Sequence, residues 1–288
     1  MADVIILGKG PAGVSAALYT ARANLETLVI GRDAGALGKA DRIENYYGFA
    51  QPVSAGELLK SGLAQAERLG VKILEDEALG ISYDGEFEAA TREGSFRAPF
   101  LILATGAARS TPKIPGLAEY EGKGVSYCAV CDAFFYRKKE VAVLGAGEYA
   151  LHEAKELLPV AGKVTVLTDG AVPSAEFPEE ITVETRKIEA VVGAGTVNSV
   201  RFADGDTLPV SGVFIAAGVA GSTDLARKLG AELSGNSVAA DETRKTNVPG
   251  LYAAGDCTGG LLQIAKAVGD GAVAGTEVIK EFRKRNKN

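Results

Sequence analysis

Short apolar runs alternate along the chain with stretches of helical pattern. The run "DVIILGKGPAG" is followed by a helical pattern through Ala23 and then by the apolar run "ETLVI". The run "EVAVLGAGEYA" is followed in the same way by a helical pattern through Leu158 and by "KVTVL". Strands buried on both faces are near-continuously apolar, as in parallel sheets. The chain therefore predicts two β-α-β units, one near its start and one in its middle.

A glycine-rich turn joins the first strand to the helix in both units. The first turn reads Gly8-x-Gly10-x-x-Gly13, and the second has Gly145, Gly147 and Ala150 in the equivalent places. Such glycines permit a tight turn and let a pyrophosphate approach the N-terminus of the next helix. One such motif is weak evidence. Two of them, each set between a strand pattern and a helix pattern, predict two dinucleotide-binding units.

Antiparallel strand patterns follow each unit. "FEAATREGSFRA" predicts a hairpin leading to "FLILATGA", and "IEAVVGAGTVNSVRFADGDTLPV" leads to "GVFIAAG". A last strand, "GLYAAGDCTGG", precedes a predicted helix from about Ile264 to Arg283. We therefore predict an α/β fold of two Rossmann-like, three-layer ββα nucleotide-binding domains, with the second inserted into the first. The first domain would comprise residues 1–114 and 243–288, and the second residues 115–242.

Composition and charge narrow the class of protein. Apolar residues make up 47% and charged residues 24% of the 288 residues, which is typical of a soluble chain with room for two medium domains. The longest apolar runs fall far short of the roughly 20 residues of a membrane span, and the start shows no secretory signal. The formal charge of −6 argues against broad nucleic-acid binding, although basic residues cluster at 137–139 and in the tail "IKEFRKRNKN". We expect a cytoplasmic protein without nucleic-acid or membrane partners.

Two of the three cysteines lie close together in "YCAVCDAFF", residues 127–135. At this spacing one thiol can attack a disulfide while the other completes the exchange. The spacing also fits half of a zinc site, but zinc needs four ligands and only Cys257 and His152 remain as soft donors. The pattern favours a redox pair, with Cys257 a packed residue, His152 a structural residue and no metal site.

Four segments together resemble one family. Gly8-Lys-Gly-Pro-Ala-Gly13, Ala104-Thr-Gly-Ala107, Cys128-Ala-Val-Cys131-Asp132 and Ala253-Ala-Gly-Asp256 have the order and spacing of low-molecular-weight thioredoxin reductases. The likeness extends along nearly the whole chain. The Cys-x-x-Cys-Asp segment within the second nucleotide-binding domain is its most specific element, because related flavin disulfide reductases usually carry their cysteines in the first domain.

The resemblance implies FAD in the first domain. The glycines of the first turn would cradle its pyrophosphate, Asp256 would bond the ribityl chain or a phosphate, and Asn45 and Gln263 would lie near the flavin ring. Asp33 stands about where an acid holds the adenosine ribose. The family's Gly-Gly-Gln-Leu segment is one residue shorter here, at Gly35-Ala36-Leu37. The expected FAD contacts are Gly8, Gly10, Pro11, Ala12, Gly13, Asp33, Asn45, Ala104, Thr105, Gly106, Gly255, Asp256 and Gln263.

The resemblance also assigns roles around the cysteines. Cys131 would receive electrons from the flavin, and Cys128 would attack the disulfide of a thioredoxin. Asp132 would be the general acid that protonates the departing thiolate. A homodimer is implied as well. A non-catalytic flavoprotein is the alternative of another class, and the intact Cys-x-x-Cys-Asp segment speaks against it.

The second glycine-rich unit departs from the NADPH-dependent pattern. Family members that use NADPH carry His-Arg-Arg after the second strand, where this chain has Thr168, Asp169 and Gly170. No arginine or lysine occurs between Lys163 and Arg186. An aspartate within about 6 Å of the 2′-phosphate would cost roughly several kcal/mol at an effective dielectric near 20. The sequence therefore disfavours NADPH.

Two electron donors remain. Asp169 lies 22 residues after Gly147, close to the spacing at which an acid bonds the ribose of NADH. Alternatively, the site is a remnant, since the chain is similar at "IENYYGF", "GVSYCAVCDA" and "YAAGDCTG" to the ferredoxin-dependent flavin thioredoxin reductases. The family's Arg-Gln-Ala before the last helix is Leu262-Gln263-Ile264 here, another departure from the NADPH type. We favour reduced ferredoxin over NADH, and NADH over NADPH.

Overall fold

The computed structural model describes residues 2–39, 42–107, 112–218 and 220–287. The chain divides into two compact units. The first unit comprises Met1–Arg109 and Gly221–Asn288, and the second comprises Ser110–Ala220. The second unit therefore lies, in sequence, between the two segments of the first.

The first segment of the first unit forms four strands of a parallel sheet and a separate antiparallel sheet. Three of the parallel strands are buried at all four of their residues, which explains their continuous apolar sequence. The elements are β1 (Val4–Leu7), α1 (Pro11–Arg22), β2 (Thr27–Ile30), a 3₁₀ turn (Leu37–Lys39), α2 (Ala55–Arg68), β3 (Lys72–Leu74), β4 (Gly80–Tyr83), β5 (Phe87–Ala90), β6 (Ser95–Ala98) and β7 (Phe100–Leu103). Strands β4, β5 and β6 make the antiparallel sheet, so the predicted hairpin is confirmed and has a third strand.

The second unit repeats this plan. Its elements are β8 (Val125–Ser126), α3 (Ala129–Asp132), a 3₁₀ turn (Ala133–Tyr136), β9 (Glu140–Leu144), α4 (Glu148–Leu157), β10 (Lys163–Leu167), β11 (Ile181–Glu184), β12 (Ile188–Gly193), β13 (Val197–Phe202), β14 (Thr207–Pro209) and β15 (Gly212–Ile215). A parallel sheet has the order β11-β10-β9-β15-β8, and β12-β13-β14 form an antiparallel sheet. Both predicted patterns, the β-α-β unit and the antiparallel strands after it, are confirmed.

The last segment completes the first unit. It contains α5 (Ser222–Lys228), β16 (Leu233–Ser234), β17 (Ser237–Val238), β18 (Leu251–Ala253), a 3₁₀ turn (Gly255–Thr258) and α6 (Ile264–Arg285). Strand β18 pairs with β7, which gives the sheet order β18-β7-β1-β2-β3. Helix α6 lies directly on α1, where a Cβ at Gly271 would be 2.1 Å from the Ala12 carbonyl oxygen. Glycine therefore permits this backbone contact.

Each unit has its own core. In the first, side chains of α1 and α6 pack on β1, β2 and β7, with Tyr252 of β18 buried among them. In the second, the core lies between the parallel sheet and the antiparallel strands, around Phe202 and Val213. Among the described residues, no helix is both long and apolar enough to span a bilayer.

The division into units differs from the expected domain borders. The first border falls near 109, close to the expected 114, whereas the second falls near 220 instead of 242. The reason is that α5 packs on β4, and β17 packs on the 3₁₀ turn Gly255–Thr258, so this region belongs to the first unit. Helix α6 ends at Arg285, two residues beyond the expected Arg283.

Candidate redox and cofactor sites

Cys128 and Cys131 form a disulfide at the start of α3. Cys128 is the residue before the first turn of the helix, and its Sγ accepts a hydrogen bond from the Cys131 N–H at 3.1 Å. The N–H groups of a helix N-terminus stabilise a thiolate. The geometry therefore suits a cysteine that alternates between a disulfide and a thiolate.

The two cysteines differ in exposure. Cys128 is 5% exposed, whereas Cys131 is exposed. The sequence interpretation gave the attack on a protein substrate to Cys128. That role stays a prediction, and Cys131 is the more exposed residue of this disulfide.

Asp132 is held beside the disulfide by a serine. The Ser126 hydroxyl donates to the Asp132 carboxylate at 2.6 Å and accepts from the Cys128 N–H at 3.1 Å. Ser126 is the last residue of β8, so the strand end fixes both groups. The carboxyl expected to act as general acid thus lies within two hydrogen bonds of the Cys128 backbone. Sequence reasoning missed Ser126.

Exposed apolar side chains lie next to the two cysteines along the chain. Val130, Phe134 and Phe135 are 62%, 74% and 67% exposed. The cationic residues 137–139 follow at once in the chain, and Lys139 lies over the Tyr136 ring, 5.9 Å from its centroid. Exposed aromatic residues grouped around a reactive centre are typical of a protein-binding surface.

The first glycine-rich turn is a close-packed cradle at the N-terminus of α1. A Cβ at Gly8, whose φ is +114°, would lie 2.2 Å from the Ala104 carbonyl oxygen. One at Gly13 would lie 1.8 Å from the Gly8 carbonyl oxygen, but one at Gly10 meets no atom within 4 Å. The first turn of α1, which contains Pro11 and Ala12, has no acidic residue and no side-chain cap. No side chain therefore competes for the N–H groups of this helix start, and the space beside Gly10 is open, which fits the binding of a pyrophosphate.

The chain brings the other expected FAD contacts to the same unit. Ala104, Thr105 and Gly106 follow β7, and the Ala104 N–H donates to the Leu7 carbonyl, so this segment lies beside the end of β1. Asp33 lies beyond the end of β2, exposed, with its carboxylate accepting from Arg32 and from the backbone N–H of Gly35.

Asn45 and Gln263 are 218 positions apart in sequence, yet their side chains meet. The Asn45 amide donates to the Gln263 amide oxygen at 3.0 Å. Gln263 is the residue before the first turn of α6, and no side chain caps that helix. The two groups expected near the flavin ring are thus together at the N-terminus of α6.

A charged network supports the turn that contains Gly255 and Asp256. The Lys266 ammonium donates to the Gly255 carbonyl at 2.7 Å and to the Thr258 hydroxyl at 2.8 Å, and pairs with Asp270 at 2.9 Å. Asp270 in turn accepts from the Gly255 N–H at 3.0 Å. Burial raises the pKa of Asp256; the negative charge of Asp270 also raises it, whereas the positive charge of Lys266 lowers it.

Sequence reasoning missed this network and one further ion pair. Lys266 and Asp270 stand four residues apart in the first turns of α6. That spacing, within a segment of small residues, is the sequence feature that could have indicated this ion pair. Lys9, inside the first glycine turn, is 7% exposed and pairs with Glu75 at 2.6 Å. A lysine within an apolar turn was the signal there.

The second glycine-rich turn has different surroundings. Glu148 occupies the first turn of α4, and Ser174 lies over the turn, with its N–H and hydroxyl donating to the Ala146 carbonyl at 2.7 and 3.2 Å. A Cβ at Gly147 would lie 3.1 Å from the Ser174 hydroxyl. Asp169 has a φ of +52°, and its carboxylate accepts from Lys187 at 2.7 Å and from the Ile188 N–H at 2.8 Å.

The remaining candidate donors do not form a metal site. Within the described parts of the chain, no three His, Cys, Asp or Glu side chains are grouped so as to hold a metal ion. Cys257 is 1% exposed, and burial raises the pKa of its thiol to about 11. The thiol donates to the carbonyl oxygens of Leu103 and Ala254, both at 3.3 Å. Cys257 is therefore a packed, unreactive residue, as expected.

Comparison with known proteins identifies the family. Residues 2–271 match the model of the pyridine nucleotide-disulphide oxidoreductase family. A thioredoxin reductase of Listeria innocua is 35% identical, over 96% of this chain and 93% of its own. The crystal structure of the atypical thioredoxin reductase TRi from Desulfovibrio vulgaris Hildenborough is 43% identical, with a TM-score of 0.93 over 99% of both chains. That of a ferredoxin-flavin thioredoxin reductase from Clostridium acetobutylicum is 28% identical, with a TM-score of 0.75 over 98% of both chains.

These matches agree with the glycine cradle, which fits the pyrophosphate of a dinucleotide cofactor, and with the disulfide of the second unit. The chain belongs to the pyridine nucleotide-disulphide oxidoreductase family, as a homologue of the low-molecular-weight thioredoxin reductases with FAD as its cofactor.

Proposed function

We propose that this protein is a thioredoxin-disulfide reductase that passes electrons through FAD and the Cys128–Cys131 disulfide to thioredoxin, and that reduced ferredoxin supplies them. The thioredoxin reductase activity is supported by relatives and solved structures of that name over nearly the whole chain, and by the disulfide itself. A non-catalytic flavoprotein would have no use for a disulfide that is flanked by a held carboxyl and exposed aromatic residues.

The observation that supports ferredoxin over a pyridine nucleotide is the contrast between the two glycine turns. The first turn of α1 has no acidic side chain and an open Gly10, whereas that of α4 contains Glu148 and has Ser174 over Gly147. A carboxylate about 6 Å from a phosphate charge costs about 3 kcal/mol at an effective dielectric of 20. The second turn therefore opposes a pyrophosphate by charge and by space.

The NADH alternative depends on Asp169. Both oxygens of its carboxylate already accept hydrogen bonds from within the second unit, one from Lys187 and one from Ile188. Lys187 neutralises the charge that would attract a ribose hydroxyl. Asp169 thus has a structural role that accounts for its presence, and the solved ferredoxin-flavin thioredoxin reductase with a TM-score of 0.75 lends the ferredoxin proposal further support.

The energetics of this route are favourable. A plant-type ferredoxin near −400 mV and a thioredoxin near −270 mV differ by about 130 mV, or about 6 kcal/mol for two electrons. Such a ferredoxin delivers one electron per encounter, so two encounters are needed per disulfide. Ferredoxins are usually acidic, and the cationic residues 137–139 and the basic tail are the candidate docking groups on a chain of net charge −6.

The residues of the second unit perform the thiol exchange. When bound, FAD supplies the two electrons that, with two protons, convert the Cys128–Cys131 disulfide to two thiols. One thiol passes its proton to Asp132 and attacks the thioredoxin disulfide as the thiolate, which forms a mixed disulfide, and the departing thiolate takes that proton from Asp132. The second cysteine then attacks the mixed disulfide, which re-forms Cys128–Cys131 and releases reduced thioredoxin. Val130, Phe134 and Phe135 would contact the thioredoxin surface.

The finer architecture belongs to the same proposal. We take the first unit as the FAD-binding domain and the second as a nucleotide-binding-like domain that carries the disulfide. The family resemblance supports a homodimer in the cytoplasm.

The test is anaerobic reduction with separate donors. The purified flavoprotein is mixed with thioredoxin and with NADH, NADPH or enzymatically reduced ferredoxin, and flavin absorbance and thioredoxin thiols are followed. Flavin bleaching and thiol release with ferredoxin alone are expected, and a variant with both cysteines replaced by serine should bleach without releasing thiols. Rapid bleaching of the flavin by NADH would contradict the ferredoxin proposal. If no donor leads to release of thioredoxin thiols, the reductase activity is contradicted.

A further inference from the structure

The helix that carries the cysteines begins on a buried carboxylate. The Ala129 N–H, the first of α3, donates to the Glu153 carboxylate of α4 at 2.8 Å. Ala129 is 0% exposed and Glu153 is 1% exposed. Acidic side chains are rarely buried to this extent unless they make specific interactions. Glu153 has no part in the exchange chemistry described above.

The position of this carboxylate bears directly on the sulfur atoms. Cys128 precedes Ala129, so the N–H that Glu153 accepts belongs to the peptide next to the Cys128 Cα. The Cys131 N–H donates to the Cys128 sulfur, while Glu153 occupies the neighbouring N–H at the helix start. One interaction favours a thiolate at Cys128, and the other places an acidic group near it.

We propose that Glu153 is a positioning residue that holds the start of the redox helix and makes the Cys128–Cys131 dithiol a stronger reductant. A disulfide has no charge, whereas the reduced pair forms a thiolate during exchange. A nearby buried carboxylate repels that thiolate but not the disulfide. It therefore destabilises the reduced pair relative to the disulfide and makes the dithiol release its electrons more readily. This serves a pair that must reduce thioredoxin.

Ser126 holds the other side of the same helix. Its hydroxyl accepts from the Cys128 N–H and donates to Asp132, so β8 and α4 fix the backbone on both sides of Cys128. Ser126 carries no charge, whereas Glu153 is acidic. The proposal therefore predicts that neutralising Glu153 changes the redox equilibrium, not only the folding stability.

The experiment measures the redox equilibrium of the FAD-loaded protein against a series of reduced and oxidised dithiothreitol mixtures. Samples are quenched in acid, alkylated under denaturing conditions and counted for thiols by mass spectrometry, with the Cys257 label constant in every sample. Glu153→Gln keeps an accepting oxygen and removes the charge. Its equilibrium constant is expected to shift about tenfold towards the dithiol, which is about 30 mV for a two-electron couple.

Matched variants separate charge from structure. Glu156→Gln alters an exposed residue of the same helix and should match the wild type. Glu153→Asp keeps the charge and should stay within about threefold of the wild type, whereas Glu153→Met, a neutral replacement suited to burial, should shift in the same direction as Glu153→Gln. Either neutral variant suffices if the other does not fold.

Two results would overturn the proposal. One is a neutral variant whose equilibrium constant stays within threefold of the wild type, and the other is Glu153→Asp shifting as far as the neutral variants. The inference rests on the proposed function for its purpose. The measurement uses dithiothreitol as the only redox couple added, with no thioredoxin, ferredoxin or pyridine nucleotide, so its failure is distinguishable from failure of the proposed function.

Discussion

Lys266 should hold the turn of Gly255 and Asp256, which we propose contacts FAD, and Lys266→Met tests this directly. Its ammonium donates to the Gly255 carbonyl and the Thr258 hydroxyl and pairs with Asp270. The Lys266 side chain is 18% exposed and that of Asp270 is 8% exposed, so the substitution leaves a buried carboxylate with less compensation. Methionine fills the space of the lysine stem without the charge.

The expected loss follows from the contacts that remain. Removing one partner of a buried ion pair costs about 3–5 kcal/mol, whereas an exposed pair is worth about 0–1 kcal/mol. Arg244 stays 3.5 Å from Asp270, and the Gly255 N–H still donates to that carboxylate. We therefore expect a loss of about 2–3 kcal/mol in the unfolding free energy of the FAD-free protein. Because Asp256 belongs to the same turn, we also expect FAD affinity to fall about tenfold, or about 1.4 kcal/mol.

Urea unfolding of the FAD-free protein and fluorescence titration with FAD measure these two quantities. Lys280→Met is the matched control, because Lys280 lies on the same helix, is 60% exposed and pairs with Glu277, which keeps Lys245 as a partner. The control should lose no more than about 1 kcal/mol and bind FAD normally. If the two variants agree within about 0.5 kcal/mol and bind FAD equally, the supporting role of Lys266 is refuted.

Three further predictions concern the cradle, Asp256 and the cysteines. Gly8→Ala places a Cβ against backbone at a φ of +114° and should yield little FAD-loaded protein, whereas Gly10→Ala should fold and bind FAD weakly. Absorbance at 450 nm measures the FAD loading of the two variants and thermal unfolding measures their stability. Equal FAD loading of the two variants would contradict this prediction. Burial raises the folded-state pKa of Asp256, so this carboxyl lowers the folding stability as pH rises from about 4 through the folded pKa. Asp256→Asn should therefore raise the melting temperature of the FAD-free protein at pH 7 and weaken FAD binding. An unchanged or lower melting temperature would contradict this prediction. Because Cys131 is exposed and Cys128 is buried, Cys128→Ser, which leaves Cys131, should form a mixed disulfide with an activated thioredoxin faster than Cys131→Ser does. The reverse order on non-reducing gels would assign the attack to Cys128, as the family resemblance implies.

The sequence predicted the repeated architecture because its signals are local. Four-residue apolar runs such as Val4–Leu7 become strands buried on both faces, and the glycine turns that follow them become helix N-termini. The Cys-x-x-Cys spacing likewise predicted a disulfide that needs only one helical turn to form. These features depend on neighbours within a few residues.

Contacts between distant segments were beyond the sequence pattern. The second unit ends near 220 because α5 packs on β4, a contact that no local composition marks. Glu153 meets Ala129 across 24 positions, and its helix pattern alone gave no sign that an acid on α4 would be buried.

The close contact of α1 with α6 also has a consequence for synthesis on the ribosome. Helix α1 is synthesised before the whole second unit and α6 after it, and the glycines at 271 and 275 allow their backbones to meet. Strand β18, which completes the sheet edge at β7, also comes late. The first unit therefore cannot complete its parallel sheet until the whole second unit has been synthesised. A nascent chain of this protein therefore exposes apolar surface of its first unit for longest, and we expect chaperones to bind that unit.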